Sequence, residues 1–190
     1  MLDLKSLICF LFLIALASLS SSCAHAPQQP PRKDVRASSA LKQAKAHMSS
    51  GNYKKALDIY AAAYEGHRED EDLLDTYTDA LESIKAEADK AYESQDYATA
   101  GELYNTLLKS GIEDRQLQEE ISFDDDYLAA RIGACSKRLM ELGIMEYREG
   151  DLQQAIAIWK KILVFKPSDR EAKTSIDRAT AQMRNLEKIK

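Results

Sequence analysis

Gly150-Asp151-Leu152-Gln153-Gln154-Ala155, followed by Trp159 and Ile162, is the stretch whose reading decides the fold. It runs as a turn residue, then apolar or small residues two, five, nine and twelve positions on. The last three are spaced i, i+4 and i+7, one face of a helix. The pattern occurs twice more. Gly51-Asn52-Tyr53-Lys54-Lys55-Ala56 leads to Tyr60 and Ala63, and Gln95-Asp96-Tyr97-Ala98-Thr99-Ala100 leads to Tyr104 and Leu107. A small residue also stands seven positions ahead of each turn: Ala44, Ala88 and Gly143. Small residues let paired helices approach closely, and an aromatic fills the space between successive pairs. Three sites with identical offsets predict stacked helical hairpins, an architecture that usually binds proteins rather than catalysing.

The flanking segments keep helical spacing. Leu73, Tyr77, Ala80, Leu81, Ile84, Ala88 and Ala91 predict one long helix over about 70–94. Leu128, Ile132, Cys135, Leu139 and Leu142 predict another over about 124–149. Gly111 to Phe123 is polar and aperiodic and reads as a loop. Ala172, Ile176, Ala179, Met183 and Leu186 form a C-terminal helix that covers the last hairpin, as a solenoid needs for solubility. The expected fold is all-α: a short, irregular solenoid of about seven helices with a C-terminal cap and no strand.

These residues resemble the tetratricopeptide repeat, a helix–turn–helix unit. That family has a small residue in its first helix, Gly and Tyr at the turn, Ala and an aromatic in its second helix, and Pro at the exit. Gly51, Tyr53, Ala56 and Tyr60 match it in the first copy, and Tyr97, Ala100 and Tyr104 in the second. The third copy matches best, with Gly143, Gly150, Ala155, Trp159 and the exit Pro167; Arg68 and Ile112 stand at the exit positions of the others. The family repeats every ~34 residues, whereas these turns lie 44 and 55 residues apart, so the two long helices and the loop absorb the excess. The resemblance implies a concave face lined by first helices. Some members grip a peptide carboxylate there with Lys and Asn. The corresponding residues here are Leu41 and Lys45, then Met140 and Ile144, and only Lys45 has that chemistry, so the clamp does not carry over. Met140 and Ile144 read either as a hydrophobic groove or as core packing.

The N-terminus speaks to location. Leu7 to Leu19 is almost wholly apolar, with Lys5 ahead of it. It is shorter than the ~20 residues of a permanent transmembrane helix and has the length of a signal-peptide core. Leu19-Ser20-Ser21-Ser22-Cys23 resembles a bacterial lipoprotein processing site, which implies removal of residues 1–22 and lipidation of Cys23. Ala24 lacks the inner-membrane retention signal of the common sorting rule, so in an organism with two membranes the resemblance implies an outer-membrane anchor facing the periplasm. Ordinary secretion, with cleavage after Ala24-His25-Ala26, and an uncleaved anchor are the alternatives. Residues 23–37 form a tether, held extended by Pro27, Pro30 and Pro31, and 38–190 form the helical domain.

Charge is unevenly spread behind a net −5. Residues 24–60 hold seven Lys/Arg and two Asp/Glu, residues 61–135 six and twenty, and residues 136–190 twelve and eight. The acidic middle contains Glu69-Asp70-Glu71-Asp72 and Asp124-Asp125-Asp126, both ahead of predicted helices, where they suit the N-terminal dipole. The alternative is an acidic face that attracts a basic partner. Such acidity argues against nucleic acid. No metal-ligand spacing joins His25, His47 and His67, and no phosphate loop, nucleophile elbow or H-E-x-x-H occurs. The expectation is therefore no enzyme, no cofactor and no metal. Cys135 lies mid-stripe and reads as a buried, inert hydrophobe rather than a reactive thiol. The functional expectation is a membrane-tethered scaffold that docks proteins of an envelope assembly or secretion machine. The second reading is a periplasmic client- or peptide-binding module, a holdase or specificity factor. Neither the partner nor the oligomeric state follows from the residues.

Overall fold

The structure, a computed structural model, describes residues 32–188. Its contacts divide the chain into two units at Val35/Arg36, and the architecture below is that of the second unit. Cys23, the apolar run Leu7 to Leu19 and the prolines at 27, 30 and 31 lie outside the described residues.

Among the described residues there are eight helices and no strand: α1 (Arg32–Ser49), α2 (Tyr53–Glu65), α3 (Glu71–Glu93), α4 (Tyr97–Ser110), α5 (Arg115–Glu120), α6 (Asp125–Glu149), α7 (Leu152–Phe165) and α8 (Arg170–Glu187). They form a helical repeat-like arrangement with a C-terminal helix. Two bounds differ from the sequence expectation. Helix α1 starts at Arg32, so residues 32–37 of the expected tether are helical. No proline lies between Arg32 and Pro167, so none interrupts this helix. The expected loop 111–123 contains α5, the eighth helix. Its six residues are too few to show periodicity, but Leu117 and the following Phe123 are buried. Asp114 caps it by accepting from the N–H groups of Gln116 and Leu117.

The three hairpin turns share one backbone pattern. Gly51, Gln95 and Gly150 all occupy the left-handed region, at φ 74°, 64° and 89°. Their N–H groups donate to Met48, Tyr92 and Tyr147 three residues back. The next residues, Asn52, Asp96 and Asp151, donate five residues back to His47, Ala91 and Glu146, at 2.9, 2.9 and 3.0 Å. This is the Schellman ending, which satisfies the orphan carbonyls of each first helix. Asp96 and Asp151 then cap the second helices through Thr99 N and Gln154 N, at 3.2 and 2.9 Å. The Asn52 side chain makes no such bond. The first and third hairpins also leave by the same turn, closed by Asp70 N–H to His67 O and by Asp169 N–H to Lys166 O. Arg68 and Pro167 stand at matching places in those turns. The second leaves through Gly111, at φ 60°, into the α5 insertion.

Core positions follow the pattern. Ala56, Ala100 and Ala155 are fully buried, as are Ala44 and Ala88. Tyr60, Tyr104 and Trp159 are nearly so, and burying a large side chain such as Ile162 contributes about 1.5–3 kcal/mol. Tyr60 stacks on Tyr77 of α3, with ring centroids 5.8 Å apart, and Tyr104 meets Tyr127 of α6 edge-on at 6.4 Å. The +9 aromatic of these two hairpins therefore fastens each to the next first helix. In the third, the larger Trp159 needs more room. A Cβ built on Gly143 falls 2.2 Å from the indole Nε1, so only glycine fits there. Gly101 plays a similar part against Phe165, 2.7 Å from its would-be Cβ.

Both acidic runs stand at helix N-termini. Asp70 and Asp124 cap α3 and α6 through Leu73 N and Tyr127 N, and the acids after them fill the first turns. Cys135 is fully buried, and burial pushes its thiol up to about 11. Two stripe residues depart from expectation. Leu142 is 40 % exposed, next to Gly143, which makes the close contact with Trp159, and Leu186 is 50 % exposed.

Candidate docking site

The side chains ten, six and three residues ahead of each turn decide the character of the face lined by first helices. In α3 these are Lys85, Asp89 and Tyr92; in α6 they are Met140, Ile144 and Tyr147. The same backbone geometry thus presents a polar row at one junction and an apolar row at the next.

At the α3–α6 junction the polar row is consumed internally. Asp89 accepts from Tyr104 OH, from Tyr127 OH at 3.0 Å and from Lys85 Nζ at 3.0 Å. The Arg131 guanidinium lies 3.4 Å from the same carboxylate and donates to Tyr104 OH at 2.9 Å. It also covers the Tyr92 ring at 4.1 Å. Burial pushes the Asp89 carboxyl up, but the bonds from Tyr104, Lys85 and Tyr127 outweigh it and hold the carboxyl below its ordinary value. Burial, then the bond to Asp89, carries the Tyr104 phenol well above its own. Every charge in this cluster has a partner. It joins α3, α4 and α6 and offers a ligand little.

The α6–α8 junction is open. A groove of about 540 Å³ runs between the two helices. Its α6 wall is Met140, Ile144 and Tyr147, with the Trp159 indole at the floor, donating through Nε1 to Met140 O at 3.3 Å. Its α8 wall is Arg170, Glu171, Thr174, Ser175 and Arg178. Asp169 fixes the start of α8: its carboxylate caps Ala172 N at 3.0 Å and accepts from the buried Ser136 hydroxyl of α6 at 3.2 Å. Lys166 pairs with it at 2.8 Å. Burial raises the Asp169 carboxyl, but these bonds, that of Ala172 foremost, bring it below its usual range. Tyr147 OH bonds Gln182 farther along. Both sequence readings of Met140 and Ile144 therefore hold in part: Met140 is 6 % exposed and packed into the core, Ile144 is half-buried, and both line the groove.

A wider depression of about 820 Å³ lies between the first turn, α2 and α4. Its rim is self-neutralising, with Lys54 paired to Asp58 at 2.8 Å. Larger volume does not make it the better site, because its lining is mostly charged and polar.

The repeat-signature residues Gly51, Tyr53, Ala56, Tyr60, Tyr97, Ala100, Tyr104, Gly143, Gly150, Ala155, Trp159 and Pro167 all sit in turns or hairpin interfaces. Of these, Trp159 alone lines the α6–α8 groove. His47 borders the wider depression and His67 the loop before α3; the structure brings neither to the groove. Among the described residues no helix is long and apolar enough to cross a membrane, and no group of His, Cys, Asp or Glu could hold a metal ion. The network around Asp89 and the arginine wall of α8 went unread in the sequence. The signal for the first was a Lys-Asp pair at i, i+4 on a first-helix face. No family model and no curated protein matches this chain.

Proposed function

We propose that this chain is a lipid-anchored tetratricopeptide-like adaptor of the bacterial cell envelope, holding a protein partner on its helical domain. The observation that carries the reading is the open α6–α8 groove, set in a stack of three hairpins with identical turns. An apolar wall facing exposed arginines suits recognition of another chain, and the helices on either side frame it. The lipoprotein-like segment ending at Cys23 supports attachment to a membrane, since an acyl chain contributes about 0.8 kcal/mol per buried methylene and two signals hold stably.

Mild cross-linking in intact cells, followed by purification of the full-length protein, tests the adaptor. One envelope protein at near-equal yield is the expected result. A diffuse set of unfolded chains would replace the adaptor by the holdase. The anchor has its own test: Cys23→Ala should release the protein from membranes, and unchanged membrane retention would sink the lipoprotein reading.

A further inference from the structure

The two walls of the α6–α8 groove differ in chemistry. Met140, Ile144 and Tyr147 give an apolar wall, and Arg170, Thr174 and Arg178 give a cationic one. The last three are spaced i, i+4 and i+8, so they form one row, its arginines about 12 Å apart along the axis. Neither guanidinium has a carboxylate within 4 Å among the described residues, although Glu171 lies on the same wall. That contrasts with Arg131, whose guanidinium is spent on Asp89, Tyr104 and Tyr92. Other exposed cations, Arg148 and Arg184 among them, also lack a carboxylate within 4 Å among the described residues; what sets Arg170 and Arg178 apart is that both line one groove opposite an apolar wall.

We infer that the groove seats an acidic amphipathic helix of a partner protein, its apolar stripe on the half-buried Ile144 and Tyr147 with Met140 and Trp159 nearly buried beneath them, and its carboxylates on Arg170 and Arg178. The inference rests on the adaptor reading and names the partner's chemistry. A helical occupant fits because carboxylates eight residues apart on a helix rise by about the same 12 Å as the arginine pair. A guanidinium takes a carboxylate through two parallel N–H bonds, so the arginines set register as well as charge. The apolar wall supplies burial, and the arginines reject a basic or neutral competitor.

The chain has a single tryptophan, at the floor of the groove, so its emission reports occupancy without a label. The probe is a synthetic amphipathic peptide with leucines on one face and glutamates eight residues apart beside them, titrated into the full-length protein. A second peptide carries Gln in place of Glu. The glutamate peptide should shift Trp159 emission and bind at least about tenfold more tightly than the glutamine peptide. That preference should collapse in Arg170→Gln/Arg178→Gln and shrink as salt is raised. Equal binding of the two peptides, or a preference that survives the double variant, overturns the inference. So does a wild-type dimer that the double variant dissociates, because the occupant is then a second copy.

The partner captured by cross-linking separates this inference from the adaptor reading. Retention of that partner at full yield by the double variant would remove the groove as its seat and leave the adaptor standing. Absence of any partner on the wild-type chain would remove the adaptor, while the peptide titration still decides the groove.

Discussion

The α3–α6 and α6–α8 junctions occupy equivalent places in the stack, yet one is sealed and the other open. At the first, Lys85 and Asp89 meet Tyr104, Tyr127 and Arg131, and every charge finds its counterpart. At the second, Met140 and Ile144 face Arg170 and Arg178, and neither arginine is paired among the described residues. Both turns carry the same pair of Schellman bonds, so the difference lies in the side chains rather than in how the first helices end. Different side chains at equivalent first-helix positions thus accompany a closed junction in one place and an open one in the next.

The hardest way to break the open junction is through its floor. Gly143→Ala drives a methyl into Trp159 and should lower stability by about 3 kcal/mol in urea unfolding. The second hairpin combines Ala88 with Tyr104 at the same offsets. Trp159→Tyr should therefore restore much of the loss in the double variant, and additive losses would disprove the small-residue/aromatic trade.

The sealed junction should fail at its carboxylate. Asp89→Ala strands Tyr104, Tyr127 and Arg131 and should cost about 2 kcal/mol, the penalty of unpaired, half-buried donors. Asp89→Asn adds the sign with pH. The folded Asp89 pKa lies below its unfolded value, so its contribution is complete above about pH 5 and is lost as pH falls through the folded pKa. The stability gap between wild type and Asp89→Asn should narrow on acidification; a gap that widens would mean the carboxyl is protonated in the network.

Turn chemistry comes next. Gln95 holds the left-handed conformation that glycine holds in the other two turns. Gln95→Gly should gain up to about 1 kcal/mol, and Gly150→Gln should lose about as much. Chemical denaturation of both variants measures this, and equal effects of one sign would refute the equivalence of the turns. The smallest effect belongs to the groove wall. Arg170→Gln/Arg178→Gln should leave stability within about 0.5 kcal/mol of wild type, whereas Arg131→Gln should cost more than that. Thermal melts of the two variants compare an unpaired arginine surface with a paired one.

The hairpins were legible because their information is local. A left-handed residue, a cap and an apolar face at fixed offsets all lie within about thirteen residues, and the long helices α3 and α6 end within one residue of where their stripes place them. The α5 insertion was not legible, since six residues make fewer than two turns and Leu117 and Phe123 are buried only by distant elements. Nor was the start of α1, which proline composition placed too late. The α6–α8 groove was half-read. Met140 and Ile144 could be singled out by offset, but Arg170 and Arg178 look like ordinary solvated charge until α8 is laid beside α6. Pairing is a tertiary property, so no spacing rule separates the spent Arg131 from the free arginines of α8.

Cys135 turns the middle of the stack into a clock. Its sulfur is sealed inside α6 and its thiol is held up to about 11, so in the folded chain it is shielded from alkylating reagents at pH 8. In a chain whose Cys9 and Cys23 are replaced, the labelling rate of this one sulfur counts how often α6 lifts from its neighbours. Followed against denaturant, that rate separates a local opening of the array from its complete unfolding.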